Sequence, residues 1–310
     1  MRMVFMGTPE FAVPSLLSLI KANHDIVGVF TQPDKPKGRG YKLTPPPVKI
    51  EAKKHGINIY QPNKIKDQEV IETLKRLNPE VIIVVAYGKI LPEEIIGLPK
   101  YGCINIHSSL LPKYRGAAPI QWSVINGEHE TGVTTMFMDK GLDTGDMLLK
   151  SSVFIGENET AGELHDKLSI MGAQLIVETL ERLKSGDLQR IKQDDNESCY
   201  APMLNKSLSF IQWNNNSKDI HNFVRGLNPW PVAHTKLDGK ILKIFKTKLI
   251  DKVIDTNVPG KVLSTNPFLI SCGNNTVLEV LEVQYEGKKR MSSQDFLRGN
   301  KVNLNIRLGE

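Results

Sequence analysis

Gly102-Cys-Ile-Asn105-Ile-His107-Ser-Ser-Leu-Leu-Pro112, followed by Tyr114-Arg-Gly116 and by Gly141-Leu-Asp143-Thr-Gly-Asp146, is the part of the chain around which the rest is arranged. Asn105 and His107 end an apolar run and lie two positions apart. If the run is a strand, both side chains leave it on one face. An amide and an imidazole then stand together at the strand's carboxyl end, where open α/β sheets place their ligands. Asp143 follows in a Gly-Leu-Asp-Thr-Gly loop. A neutral donor, a titratable base and a carboxylate are the parts needed for acyl transfer through a tetrahedral intermediate. A single histidine is most often structural, so the joint pattern carries the reading.

The flanking segments agree with such a sheet. Glu80-Val-Ile-Ile-Val-Val-Ala86 is a continuous β-branched run, the mark of a buried central parallel strand. Arg2–Met6 reads as the first strand. In Gly7-Thr8-Pro9-Glu10, Thr8 is expected to cap the following helix. Ile26–Phe30 is the next strand. No G-x-G-x-x-G occurs, so a dinucleotide is not supported. Strands and helices alternate to the long helix expected over Thr160–Leu183. The first domain is therefore read as α/β, doubly wound on a mainly parallel sheet, over residues 1–189. Pro33–Pro47 is a long loop in which Lys35, Lys37, Arg39 and Lys42 sit among Gly and Pro. Such loops are often functional, and a basic arm that closes on an anion is the functional reading.

Beyond it the pattern lapses into Lys192-Gln-Asp-Asp-Asn-Glu-Ser, read as a linker over 190–205. Residues 206–310 then hold short strand candidates at Lys240–Phe245, Gly260–Leu263, Phe268–Ser271 and Thr276–Val283. Even spacing of short β segments predicts a small β-barrel of the oligonucleotide-binding (OB) kind.

The chain has 310 residues, fits two domains, and carries a formal net charge of +6. Lys206 to Glu310 holds 16 Lys/Arg against 9 Asp/Glu, net +7, and residues 1–205 hold 24 against 25, net −1. A polyanionic partner for the C-terminal third is one reading of that asymmetry. A soluble basic domain without such a partner is the other. No apolar run is long enough to span a bilayer, and Met1–Gly7 enters a strand without an export signal's apolar region. Cys103, Cys199 and Cys272 are odd in number and far apart. Neither a disulfide framework nor a zinc site is expected, and a reducing cytoplasm is the expected compartment.

The motif stretch resembles the signature of the formyltetrahydrofolate-dependent formyltransferases, and the likeness runs through essentially the whole chain. It includes Gly7-Thr-Pro, Thr31-Gln-Pro-Asp34, Gly38-Arg-Gly40, Val85-Ala-Tyr-Gly88, Asn105-Ile-His107, Ser109-Leu-Leu-Pro112 and Gly141–Asp146. Toward the C-terminus it includes Asn228-Pro-Trp-Pro231, Pro259-Gly260, Gly287-Lys-Lys and Met291–Asp295. The basic loop and the C-terminal set are similar to the tRNA-acting branch. The resemblance implies a Rossmann-like catalytic domain and an OB-like domain that binds tRNA. It implies 10-formyltetrahydrofolate as donor, initiator methionyl-tRNA as acceptor, no metal, no membrane and a monomer.

It also implies that Asn105, His107 and Asp143 are catalytic. Ser109, Leu110, Leu111 and Pro112 match the folate-contacting stretch. Lys35, Lys37, Arg39 and Lys42 would form the tRNA-binding loop. The methionyl amine would attack the formyl carbon directly. Asn105 and His107 would then face the oxyanion, with Asp143 either orienting His107 or taking the amine's proton. An amino sugar or purine-precursor acceptor, hydrolysis of the donor, and an inactive RNA-binding fold are the competing readings. The C-terminal landmarks and basic excess weigh against the first. Formate release without acceptor would reveal the second, and the intact trio weighs against the third.

Overall fold

Val81–Val85, buried at all five positions, is a central strand because its β-branched side chains are covered on both faces. The structure is a computed structural model, and it describes residues 1–37, 42–251, 258–304 and 306–309. These divide into two compact units. The first is Met1–Gly116, Thr131–Val153 and His165–Ala201; the second is Ala117–Glu130, Phe154–Leu164 and Pro202–Glu310.

Among the described residues the first unit holds a seven-stranded sheet. Its order is Met147–Phe154, Glu130–Phe137, Cys103–His107, Val81–Val85, Arg2–Gly7, Asp25–Phe30 and Ile59–Tyr60. Arg2–Gly7 pairs in parallel with both Asp25–Phe30 and Val81–Val85. Val81–Val85 pairs in parallel with Cys103–His107. Glu130–Phe137 runs antiparallel to Cys103–His107, placing Thr134 opposite His107 and Met136 opposite Asn105. The sheet is thus mainly parallel with an antiparallel addition, as the alternation of elements predicts. The chain leaves Arg2–Gly7 to one side and returns to the other at Val81–Val85. That reversal is a topological switch point, which opens a crevice at the strands' carboxyl ends.

The Cys103–His107 strand has two different faces. Ile104 and Ile106 are buried. The helix Ala161–Ser185 comes close to Ile106 because it has a glycine there. A Cβ on Gly172 would lie 2.9 Å from Ile106 Cγ2. On the other face, Cys103 packs into a cluster with Val4, Phe30, Ile82 and Tyr87. Asn105 and His107 continue that face beyond the core. Apolar packing therefore fixes the strand that presents them.

The second unit holds an antiparallel sheet, in the order His234–Leu237, Lys240–Ile250, Val277–Tyr285, Phe268–Ser271 and Val262–Thr265. Register breaks around Lys246 bend the long strand. The C-terminal segment runs between the two edge strands. Leu308 N–H donates to Gly260 O (2.8 Å), and Gly309 N–H donates to Lys236 O (2.9 Å). Backbone groups on both edges are satisfied, which is how a barrel disposes of free edges. Leu242, Ile244, Phe268, Ile270, Val280 and Phe296 fill the interior. This is the OB-like barrel that the short, evenly spaced segments predict.

Candidate active site

The carboxyl ends of the parallel strands are tied by polar contacts. Thr8 does not cap a helix: the first turn, Glu10–Ala12, has Pro9 at its cap position and no side-chain cap. The Thr8 hydroxyl instead donates to Tyr87 O (3.0 Å) and accepts from Gln32 N–H (3.3 Å). Gln32 Nε2 donates to the same Tyr87 carbonyl (3.1 Å). Three loops after neighbouring strands are thereby held at the switch point, a tertiary demand that outweighs the local capping preference of Thr-Pro.

His107 is 6% exposed. Its Nε2 lies 2.9 Å from Tyr114 O. A carbonyl only accepts, so Nε2 carries a hydrogen and donates it. The other ring nitrogen, Nδ1, faces Asp143 Oδ2 at 3.7 Å, beyond hydrogen-bond length. Asp143 Oδ2 accepts from Gly116 N–H (2.9 Å). Half-buried Asn105 has no side-chain hydrogen bond among the described residues. The structure therefore brings together the three residues singled out by the sequence. Two are fixed by the Tyr114–Gly116 turn, and the third has its amide free. Burial pushes the Cys103 thiol up to about 12, so it supplies no thiolate nucleophile near neutral pH.

Ser109–Pro112 folds against Thr134. The Thr134 hydroxyl donates to Ser109 O (2.7 Å) and accepts from Leu111 N–H (3.2 Å). Lys150 Nζ donates to Leu111 O (2.6 Å), and Lys113 N–H donates to Leu110 O (3.3 Å). Several of the backbone groups expected to meet a folate thus already have protein partners.

The basic loop begins as a hairpin, with Lys35 opposite Thr44 and Lys37 opposite Lys42. Arg39 lies outside the described residues. The hairpin's base is anchored by Asp34, which pairs with Lys49 (2.8 Å) and accepts from Gln61 Nε2 (2.9 Å). The Lys49 hydrogen bond, then that of Gln61, holds the Asp34 carboxyl below its usual range.

Sequence reading missed the residues that lace the Asp143 loop in place. Residues 191–201, expected as linker, run along the site within the first unit. Ile191 pairs with Met147, and Tyr200–Ala201 pairs with Arg115–Gly116. Gln193, 7% exposed, donates through Nε2 to Asp143 O and Gly145 O (both 2.8 Å). Its Oε1 accepts from Arg115 Nε (3.0 Å), and Arg115 also pairs with Asp195 (2.8 Å). The stretch has neither helical nor strand periodicity. Its only signal was a glutamine among charged residues.

The same loop supports a steric prediction. A Cβ on Gly145 would lie 1.9 Å from Phe137 O, a backbone atom that cannot step aside. Gly145→Ala is expected to shift the Asp143 loop and cost about 1–3 kcal/mol, as overpacking does. A thermal melt should show the loss, together with a lower rate in single-turnover assays. An unchanged melt and rate would show that the loop accommodates the methyl group.

An amide, an imidazole and a carboxylate at the switch point of an α/β sheet, in a chain that also contains a small barrel, are the parts of an acyl-group transferase. The chain belongs to the formyl transferase family: residues 1–180 match the formyl transferase domain, and residues 203–301 match the formyl transferase C-terminal domain. It is 52% identical over 308 residues to the methionyl-tRNA formyltransferase of Geobacter metallireducens, covering 99% of this chain and 98% of that one. Identity to the methionyl-tRNA formyltransferase of Caldanaerobacter subterraneus is 53% over 304 residues, covering 97% and 98%. In fold it is similar to an N-formyltransferase from Helicobacter canadensis solved with folinic acid and dTDP-3-aminofucose. That match has a TM-score of 0.68 at 22% identity, covering 92% of this chain and 99% of that one.

Proposed function

We infer that the protein transfers the formyl group of 10-formyltetrahydrofolate to the free amino group of methionine on initiator methionyl-tRNA. The observation that carries this is identity of about half, over nearly the full length of both chains, to relatives named for methionyl-tRNA. The likeness extends through the C-terminal barrel, where the net positive charge lies. The first unit, including residues 191–201 that lace its site, is taken as the catalytic part, and residues 206–310 as the tRNA-binding domain. The activity suits a cytoplasmic monomer.

Each residue's role follows from its free atoms. The Asn105 amide is available to donate to the oxyanion that develops on the formyl oxygen. Asp143 Oδ2 is held by Gly116, and Oδ1 is available to take the attacking amine's proton. His107 is anchored through Nε2 and turns Nδ1 toward that carboxylate, where it can hold or pass on the proton. Leu110, half-buried where Ser109, Leu111 and Pro112 are buried, would border the donor.

The test is formylation of charged initiator tRNA with the folate donor, with charged elongator methionine tRNA as control. Rapid formylation of the initiator alone is expected. Transfer to an amino sugar but not to tRNA would overturn the reading. A second prediction concerns Arg39, between two glycines in the basic arm. Arg39→Ala is expected to raise the KM for charged tRNA while leaving donor affinity unchanged, as read by steady-state kinetics and donor titration. Equal loss of both would remove the arm from tRNA recognition.

A further inference from the structure

We propose that Gln193 is a positioning residue for the transfer reaction. Its carboxamide fixes the Asp143 loop and thereby sets the carboxylate beside His107. The inference rests on the assignment of Asn105, His107 and Asp143 as the transfer site.

The Asp143 backbone requires a restraint. Asp143 has φ +54°, a left-handed conformation that aspartate tolerates but does not prefer. The carbonyls of Asp143 and Gly145 converge on one NH2 group, so both hydrogens of Gln193 Nε2 are used. The amide can face only one way. Its oxygen meets Arg115 Nε, which only donates, and its nitrogen meets two carbonyls, which only accept. Gln193 is buried, so water does not compete for these bonds.

Arg115, the third partner, belongs to the turn that holds the candidate catalytic side chains. Tyr114 O accepts from His107, and Gly116 N–H donates to Asp143 Oδ2. Arg115 N–H donates to Cys199 O (2.9 Å), and Arg115–Gly116 pairs with Tyr200–Ala201. Gln193 therefore links the Asp143 loop to the turn that orients both His107 and the carboxylate. It lies between the two stretches that match the family domains, residues 1–180 and 203–301. Its role follows from contacts in this chain.

The test uses two variants of the full-length enzyme. Gln193→Glu keeps the size and the Arg115 contact but turns a carboxylate oxygen onto two carbonyls. Gln193→Met keeps the packing and removes every hydrogen bond. Both are expected to lower kcat by about 10-fold or more, with KM for the donor within about threefold, because only transition-state geometry is lost. The same substitutions in an Asp143→Ala background are expected to lower the residual single-turnover rate by less than about twofold, since a residue acting through Asp143 is not additive with it. Wild-type kcat in a folded Gln193→Met enzyme would overturn the proposal. So would an equal fold-loss in both backgrounds, which is the mark of general destabilisation. Wild-type enzyme that fails to formylate tRNA would instead defeat the functional assignment, so the two failures are distinguishable.

Discussion

Asn105→Ala lowers kcat for formyl transfer by about 10²–10³, the usual loss when one oxyanion donor is removed, and leaves the protein folded. The expectation rests on what Asn105 does not do. Its side chain is half-buried and bonds to no protein group among the described residues, so truncation leaves no orphaned partner. His107→Ala should lose activity on the same scale but should also destabilise the fold. Removing the ring deletes a buried side chain and the hydrogen bond it gives to Tyr114 O, and one such bond contributes about 0.5–1.5 kcal/mol. The two variants are therefore separated by a melt and united by kcat. Single-turnover assays at saturating donor and tRNA, beside thermal unfolding, measure both. Near-normal turnover in folded Asn105→Ala would remove the oxyanion role. Undiminished stability in His107→Ala would mean that the ring's packing and hydrogen bond contribute nothing to the fold.

The sequence exposes some layers of this structure and hides others, for physical reasons. Val81–Val85 is legible because a strand buried on both faces leaves a continuous β-branched run. Asn105 and His107 are legible because strand period alone puts them on one face. Their proximity to Asp143 comes from the resemblance, since spacing cannot show that a loop 36 positions on returns to the same strand end. Thr8 misleads because its Thr-Pro-Glu context favours a cap, while its hydroxyl is taken by Gln32 and Tyr87 from distant segments. Gln193 is invisible because two of its three partners are backbone carbonyls, which have no residue type to match, and the third, Arg115, lies 78 positions away. The barrel's strands show in the pattern, but its closure does not, because Leu308 and Gly309 close it through backbone bonds to Gly260 and Lys236.

Binding of charged tRNA weakens steeply with salt, whereas binding of the folate donor hardly changes. Each phosphate contact by Lys or Arg releases counterions, giving a log–log slope of about −0.7 to −0.9 per contact. An interface of 6–10 such contacts loses roughly 10³–10⁵ in affinity between about 50 and 200 mM salt. The proposed tRNA-binding barrel, net +7 over residues 206–310, is the expected source of that slope. Lys236, Lys246 and Lys248 are exposed on its first two strands, and Lys246 and Lys248 flank buried Thr247. They are not equally free. Lys248 stands opposite Glu279 in the register. Lys246 stands opposite Glu282, which is already paired with Arg290. Lys246 is therefore the less neutralised of the two. Lys246→Ala should flatten the slope by nearly one contact, and Lys248→Ala should flatten it by less. Neither should alter donor affinity. Titrations of charged tRNA at four salt concentrations, with the donor measured in parallel, give the slopes directly. If tRNA affinity proves flat in salt, or the Lys246→Ala/Lys248→Ala double variant keeps the wild-type slope, these lysines do not meet the RNA backbone and the barrel's charge serves another partner.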